Sequence, residues 1–246
     1  MGINFFELKQ RAKAVMRESN PSLITLGMLL LVVQTLSDSI RVYSTGANHV
    51  YDREFMNYIN EGNVEFANAY INQYLKLTPS VAGGAVLLNL VCSIISVGFI
   101  FCIIRTVRKL PVTVGDMMHG FTLVLKVIGL ELLEGLLIAL ASLALIVPGF
   151  ILAYRYRLAI YLLLDKPELS IIQCLKESGR LMSGKKLELF RLDLSFLPWI
   201  LLGGLGTIGI ATRIWSLPLM ETSYELYYEV AIAQDGMSLP PESEQL

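Results

Sequence analysis

Four apolar runs, at residues 23–42, 81–104, 121–147 and 194–217, constrain this chain more than anything else in it. Each is long enough to cross the hydrocarbon of a bilayer, about 30 Å thick, as a helix of roughly 20 residues. A water-soluble core could not absorb them, since 54% of the 246 residues are hydrophobic and only 17% charged. A fifth run, 150–164, is shorter and contains Arg155 and Arg157. The Val147-Pro148-Gly149 step before it reads as a tight turn, which makes 121–147 and 150–164 a transmembrane hairpin. A sixth segment, 218–233, carries Glu221, Glu225 and Glu229 at every fourth residue and either crosses or lies at the interface. The expected fold class is all-α: a polytopic transmembrane helical bundle over 21–235 with about six spans and amphipathic interfacial helices on the cytoplasmic side.

Orientation follows from where Lys and Arg lie near span ends. Lys9, Arg11, Lys13 and Arg17 precede the first span, Arg105, Arg108 and Lys109 follow the second, and Lys166, Lys176, Arg180, Lys185, Lys186 and Arg191 follow the fifth. These three segments belong to one side, the cytoplasmic one. The 43–80 connection has only Arg53 and Lys76, and faces outward. The first apolar run starts near Ser22, after a charged amphipathic stretch and with no small-residue cleavage pattern, so it is expected to stay as a span.

Residues 1–20 are expected to form a cytoplasmic amphipathic helix, with Asn4 as its N-cap and Phe5, Leu8, Ala12 and Val15 on the face turned to the bilayer. A second cytoplasmic helix is expected at 167–183, opened by Pro167 in its first turn. In the outer loop the aromatic residues between Asp52 and Leu75 predict one or two amphipathic helices. Residues 236–246 read as a flexible acidic tail.

Chemical signatures fail on context. Gly204, Gly206 and Gly209 have the spacing of a dinucleotide fingerprint but sit inside an apolar run, where small-residue packing or a helix break explains them. Ser183-Gly184-Lys185-Lys186 places a lysine three residues after a serine without the companion motifs of penicillin-recognising enzymes. Only His49 and His119 are present, on opposite expected sides, and Cys92, Cys102 and Cys174 suit neither a disulfide framework nor a zinc site. No catalytic residue, cofactor or metal is therefore expected, and a net charge of −1 gives no sign of a nucleic-acid partner.

Several stretches resemble the bacterial integral membrane family catalogued as domain of unknown function 975. They are FFELKQRAKAVM near the start, VPGFILAYRYRLAIYLLLDKPELS, SGRLMSGKKLELFRLDLSFLPW, and SLPLMETSYELYYE near the end. The resemblance implies a multi-pass protein of the bacterial cell membrane and brings no reaction, substrate or cofactor.

What remains is the intramembrane charge: Glu131, Glu134, Arg155, Arg157, Glu221, Glu225 and Glu229, a set costly enough in hydrocarbon to be a candidate site. Glu131 and Glu134 are expected to pair with Lys126 or a neighbouring helix, to line a hydrated crevice, or to relay a proton or cation. Arg155 is expected to pair with Glu225, because each lies about 10 Å from the outer end of its segment at 1.5 Å per residue. Two main functions fit. The first is a non-enzymatic accessory, partner-binding or peptide-sensing protein, its partners membrane lipids, another protein or a second copy. The alternative is a transporter or lipid-handling protein with a polar intramembrane path. A water-accessible cavity reaching the ionisable residues discriminates between them, in favour of the second.

Overall fold

The computed structural model describes residues 4–75, 78–203 and 206–236, and every regular element among them is helical. The chain divides into two compact units, one formed by residues 1–30 and 94–246 and the other by 31–93. The acidic tail beyond Gly236 and the Gly204-Leu205 pair lie outside the described residues.

The larger unit opens with α1 (Phe5–Glu18), where the Asn4 side chain accepts from the Phe6 N–H at 3.1 Å. The stripe that α1 buries is Leu8, Ala12 and Met16, and it packs on α12 (Gly206–Gln234). The lipid-facing stripe expected of this segment is thus corrected: Leu8 and Ala12 meet protein, while Phe6 is exposed. α2 (Leu23–Thr45) begins in this unit and α5 (Pro79–Val107) ends in it, its second half buried from Ile94 to Ile104. A 3-10 helix, Val114–Leu123, follows, its start tied by the Thr113 N–H to Asp116 Oδ2 at 2.7 Å.

The expected hairpin forms, with α6 (Val124–Ala144) packed on α7 (Ile146–Tyr156). Its turn falls at Leu145, which is extended, so that Pro148 stands in the first turn of α7, where its missing N–H has no partner to lose. Gly149 lies so close to Ser142 that a Cβ there would collide with Oγ. α8 (Ala159–Asp165) continues α7 after a break at Arg157-Leu158. Ser178 repairs that break: its hydroxyl donates to the Arg155 carbonyl at 2.8 Å and accepts from the Leu158 N–H at 3.2 Å. α9 (Ile171–Leu181) starts later than expected, because Ser170 and Gln173 form a reciprocal capping box and Pro167 falls in the preceding turn. Gly184, at φ +75°, separates α9 from α10 (Lys186–Leu194).

The structure supports fewer spans than the six expected. Among the described residues, three helical stretches are long and apolar enough to cross a membrane: Leu23–Thr45, Pro79–Val107 and Ile146–Asp165. The expected span at 194–217 is divided between α10, the short α11 (Leu197–Gly203) and the start of α12, and the carbonyl of Gly203 occupies the place of a side chain at Gly209. α12 then runs through Pro218 without interruption. Buried residues surround it there, and Gly27 of α2 leaves room for the proline ring, which a Cβ at position 27 would meet at 2.8 Å. Along α6, Leu132, Leu136, Leu140 and Leu143 remain 56–83% exposed, a face that a protein in water would cover.

In the smaller unit, α3 (Arg53–Asn60) and α4 (Val64–Tyr74) form an antiparallel pair turned at Gly62, which adopts φ +69°. His49 and Tyr70 both bond Asp52 Oδ2, at 2.8 and 2.9 Å, and the His49 ring stacks on Tyr74. The His49 bond first, then that from Tyr70, holds the Asp52 carboxyl below its ordinary value.

Candidate functional site: a buried charge seam

Arg157, Tyr161 and Asp165 follow one another at every fourth position along α7 and α8, as Glu221, Glu225 and Glu229 do along α12. Each set extends over about 12 Å of helix. Their contacts run in step. The Tyr161 hydroxyl donates to Glu221 at 3.2 Å, the Tyr161 and Tyr228 rings stack at 5.4 Å, and the Tyr228 hydroxyl donates to Asp165 at 2.9 Å. The two stretches therefore run side by side in the same direction and share a polar seam with one guanidinium towards each end.

The first is Arg108. α5 ends in a paired backbone motif, Lys109 N–H to Thr106 carbonyl and Leu110 N–H to Arg105 carbonyl, with Lys109 in the left-handed region at φ 60°. Arg108 lies within that curl, and its terminal nitrogens bond both oxygens of Asp165 at 2.8 Å. Glu225 and Glu229 stand 3.5 and 3.6 Å from the same guanidinium. Burial pulls the Arg108 pKa down, but the Asp165 bonds and the two further carboxylates outweigh it and hold it above its ordinary value.

The second guanidinium, Arg157, lies 4.7 Å from the centre of the Tyr224 ring, with Glu221 the carboxylate acting most strongly on it. Asp193 of α10 accepts from the hydroxyls of Tyr224 at 2.7 Å and Tyr154 at 2.6 Å. Glu134, Phe150, Ala153, Tyr154, Arg157 and Asp193 line an open crevice of about 280 Å³. Glu221 also borders a cavity of about 370 Å³ between α11 and α12, with Trp199 and Arg213. From α1, Lys9 reaches the Ser195 carbonyl at 3.1 Å and sits over the Phe196 ring, and burial, then Lys13, lowers its pKa.

Four of the seven candidate residues, Arg157, Glu221, Glu225 and Glu229, belong to the seam, and Glu134 joins it at the crevice. Glu131 lies on the exposed side of α6, while Lys126 donates to the carbonyls of Pro167 and Leu169. The expected Arg155–Glu225 pair is not formed. Glu225 faces Arg108, and the Arg155 guanidinium lies against Gly179 of α9, in the space a side chain there would need. The depth count failed because it started α12 at Pro218. Arg108, Asp165, Asp193 and the four tyrosines were missed. Their one available signal was spacing, since 157, 161 and 165 repeat the period of the glutamates.

Among the described residues, these features define an all-helical protein with a charge seam that is buried at its Arg108–Asp165 end, and with three helices long and apolar enough to cross a membrane, which is compatible with a membrane protein. The chain belongs to the family described as protein of unknown function (DUF975), which matches residues 3–235. No curated protein and no solved structure is similar enough to match.

Proposed function

We propose that the chain is an integral protein of the bacterial cell membrane that handles a small amine-bearing solute or amphiphile through the Arg157 crevice. The opening of that crevice onto Glu134, Arg157 and Asp193 carries the reading. Two carboxyl groups, Glu134 and Asp193, stand beside one guanidinium there, and Glu221 draws on the same guanidinium, so the crevice offers carboxyl oxygens as acceptors for the N–H donors of a cationic group. Its volume suits a head group rather than a whole drug-sized ligand, and Phe150 at its rim is 62% exposed, as an apolar tail would require. The basic clusters support α1, 105–120 and 165–193 as the cytoplasmic side. The partner-binding reading keeps one observation in its favour, the exposed Met56, Ile59, Val64 and Phe66 of α3 and α4.

Octylamine and octanoate, added to the detergent-solubilised protein, test the proposal by thermal melting. At ten times its dissociation constant a ligand adds about 1.4 kcal/mol, equivalent to a rise of about 4 °C for a chain of this size. Octylamine is expected to produce it, and the Glu134→Gln/Asp193→Asn double variant to lose it. An equal rise with octanoate, or one unchanged in the double variant, overturns the reading.

A further inference from the structure

We propose that the Arg108 cluster is a binding site for a single proton, carried by Glu225. Glu225 is fully buried, and neither of its carboxylate oxygens has a hydrogen-bond partner among the described residues. Its nearest cation, Arg108, already gives both terminal nitrogens to Asp165, which also accepts from Tyr228. Glu229 has a different environment, with a side chain 20% exposed and the charge of Arg11 on α1 acting on it. The groups that face Glu225 are Arg108 at the end of α5, Asp165 and Tyr161 of α8, and Tyr228 and Glu229 of α12. Counting Arg11 with them, two guanidiniums stand against three carboxylates, and one negative charge is unmatched.

A carboxylate enclosed without hydrogen bonds beside two other carboxylates relieves its charge by taking a proton. The step is complete in itself: one proton from water joins a Glu225 oxygen, and no other bond changes. A metal ion fits less well, because Arg108 holds the centre of the cluster and no group of ligands with metal-binding geometry occurs among the described residues. The site is separate from the crevice and stands whatever the crevice receives.

Infrared difference spectroscopy of wild type against Glu225→Gln at neutral pH tests the assignment. The expected difference contains the stretch of one protonated carboxyl, sensitive to deuterium exchange, and Glu229→Gln leaves that band in place. Carboxylate bands in the difference spectrum, or a protonated band removed by Glu229→Gln alone, overturn it. Wild type supplies a readout that needs no variant: a protonated carboxyl band present at neutral pH and lost as one proton per chain is released on raising the pH. Its absence at neutral pH overturns the proposal as well.

Discussion

Arg108→Ala is expected to lower the melting temperature of the solubilised protein by on the order of 10 °C. The side chains of Arg108 and Asp165 are only 9% and 2% exposed, and Glu225 is fully enclosed. Removing the guanidinium leaves Asp165 buried without its two bonds and brings three acidic side chains together without the cation between them. Breaking a buried pair from one side costs about 3–5 kcal/mol, most of it the burden of the charge left behind. Arg108→Lys should recover part of the loss, since it restores the charge but cannot present two parallel donors to Asp165. Arg155→Ala, at an exposed position, should fall within about 1 kcal/mol of wild type. Scanning calorimetry or fluorescence melting of the three variants checks the order. A drop for Arg108→Ala no larger than that for Arg155→Ala would mean that the Arg108 cluster is not a closed, desolvated site.

Gly98→Val and Gly120→Ala are expected to be among the most damaging of the glycine substitutions. α5 passes so near the Val114–Leu123 helix that the Met117 carbonyl occupies the place of a Cβ at Gly98, and the Ile94 carbonyl does the same at Gly120. Three residues make one turn of a 3-10 helix, so Met117 and Gly120 lie on one face and receive α5 together. Beside them the Phe101 and His119 rings stack at 3.8 Å, with burial holding the imidazole pKa below its ordinary value and so favouring the neutral ring. Backbone cannot yield as a side-chain tip can, so Gly98→Val and Gly120→Ala should each cost about 3 kcal/mol, the upper part of the overpacking range. Gly83→Ala and Gly84→Ala, where nothing lies within 4 Å, serve as controls and should stay within about 1 kcal/mol. Melting curves decide the matter, and a wild-type curve for Gly98→Val contradicts the close approach.

The parts of this architecture that a sequence states locally were legible. Apolar runs and helical spacing gave an all-helical chain, the Asn4 cap, the 121–164 hairpin and the glutamate row at 221, 225 and 229. Partners were harder, because they depend on how the chain turns. Arg108 follows an apolar run and therefore reads as a cytoplasmic anchor charge, yet its guanidinium turns inward to both oxygens of Asp165. Asp165 lies two residues before Pro167, the expected opening of a cytoplasmic helix, and so gives no sign that it ends α8 and faces the seam. Pro218 reads as a boundary, but the interior of α12 holds it because Gly27 makes space for the ring. Each error has the same physical source: a local signal was overridden by a tertiary contact between residues far apart in the chain.

Double-mutant cycles in thermal stability test the seam most directly, because they isolate the energy of one pair from that of its surroundings. Arg108→Ala with Asp165→Ala should give a coupling of about 2–3 kcal/mol, the upper end for residues in contact, and Arg155→Ala with Glu225→Ala should give less than about 0.5 kcal/mol. A strong Arg155–Glu225 coupling with a negligible Arg108–Asp165 coupling would contradict the arrangement described and restore the pairing suggested by helix depth alone.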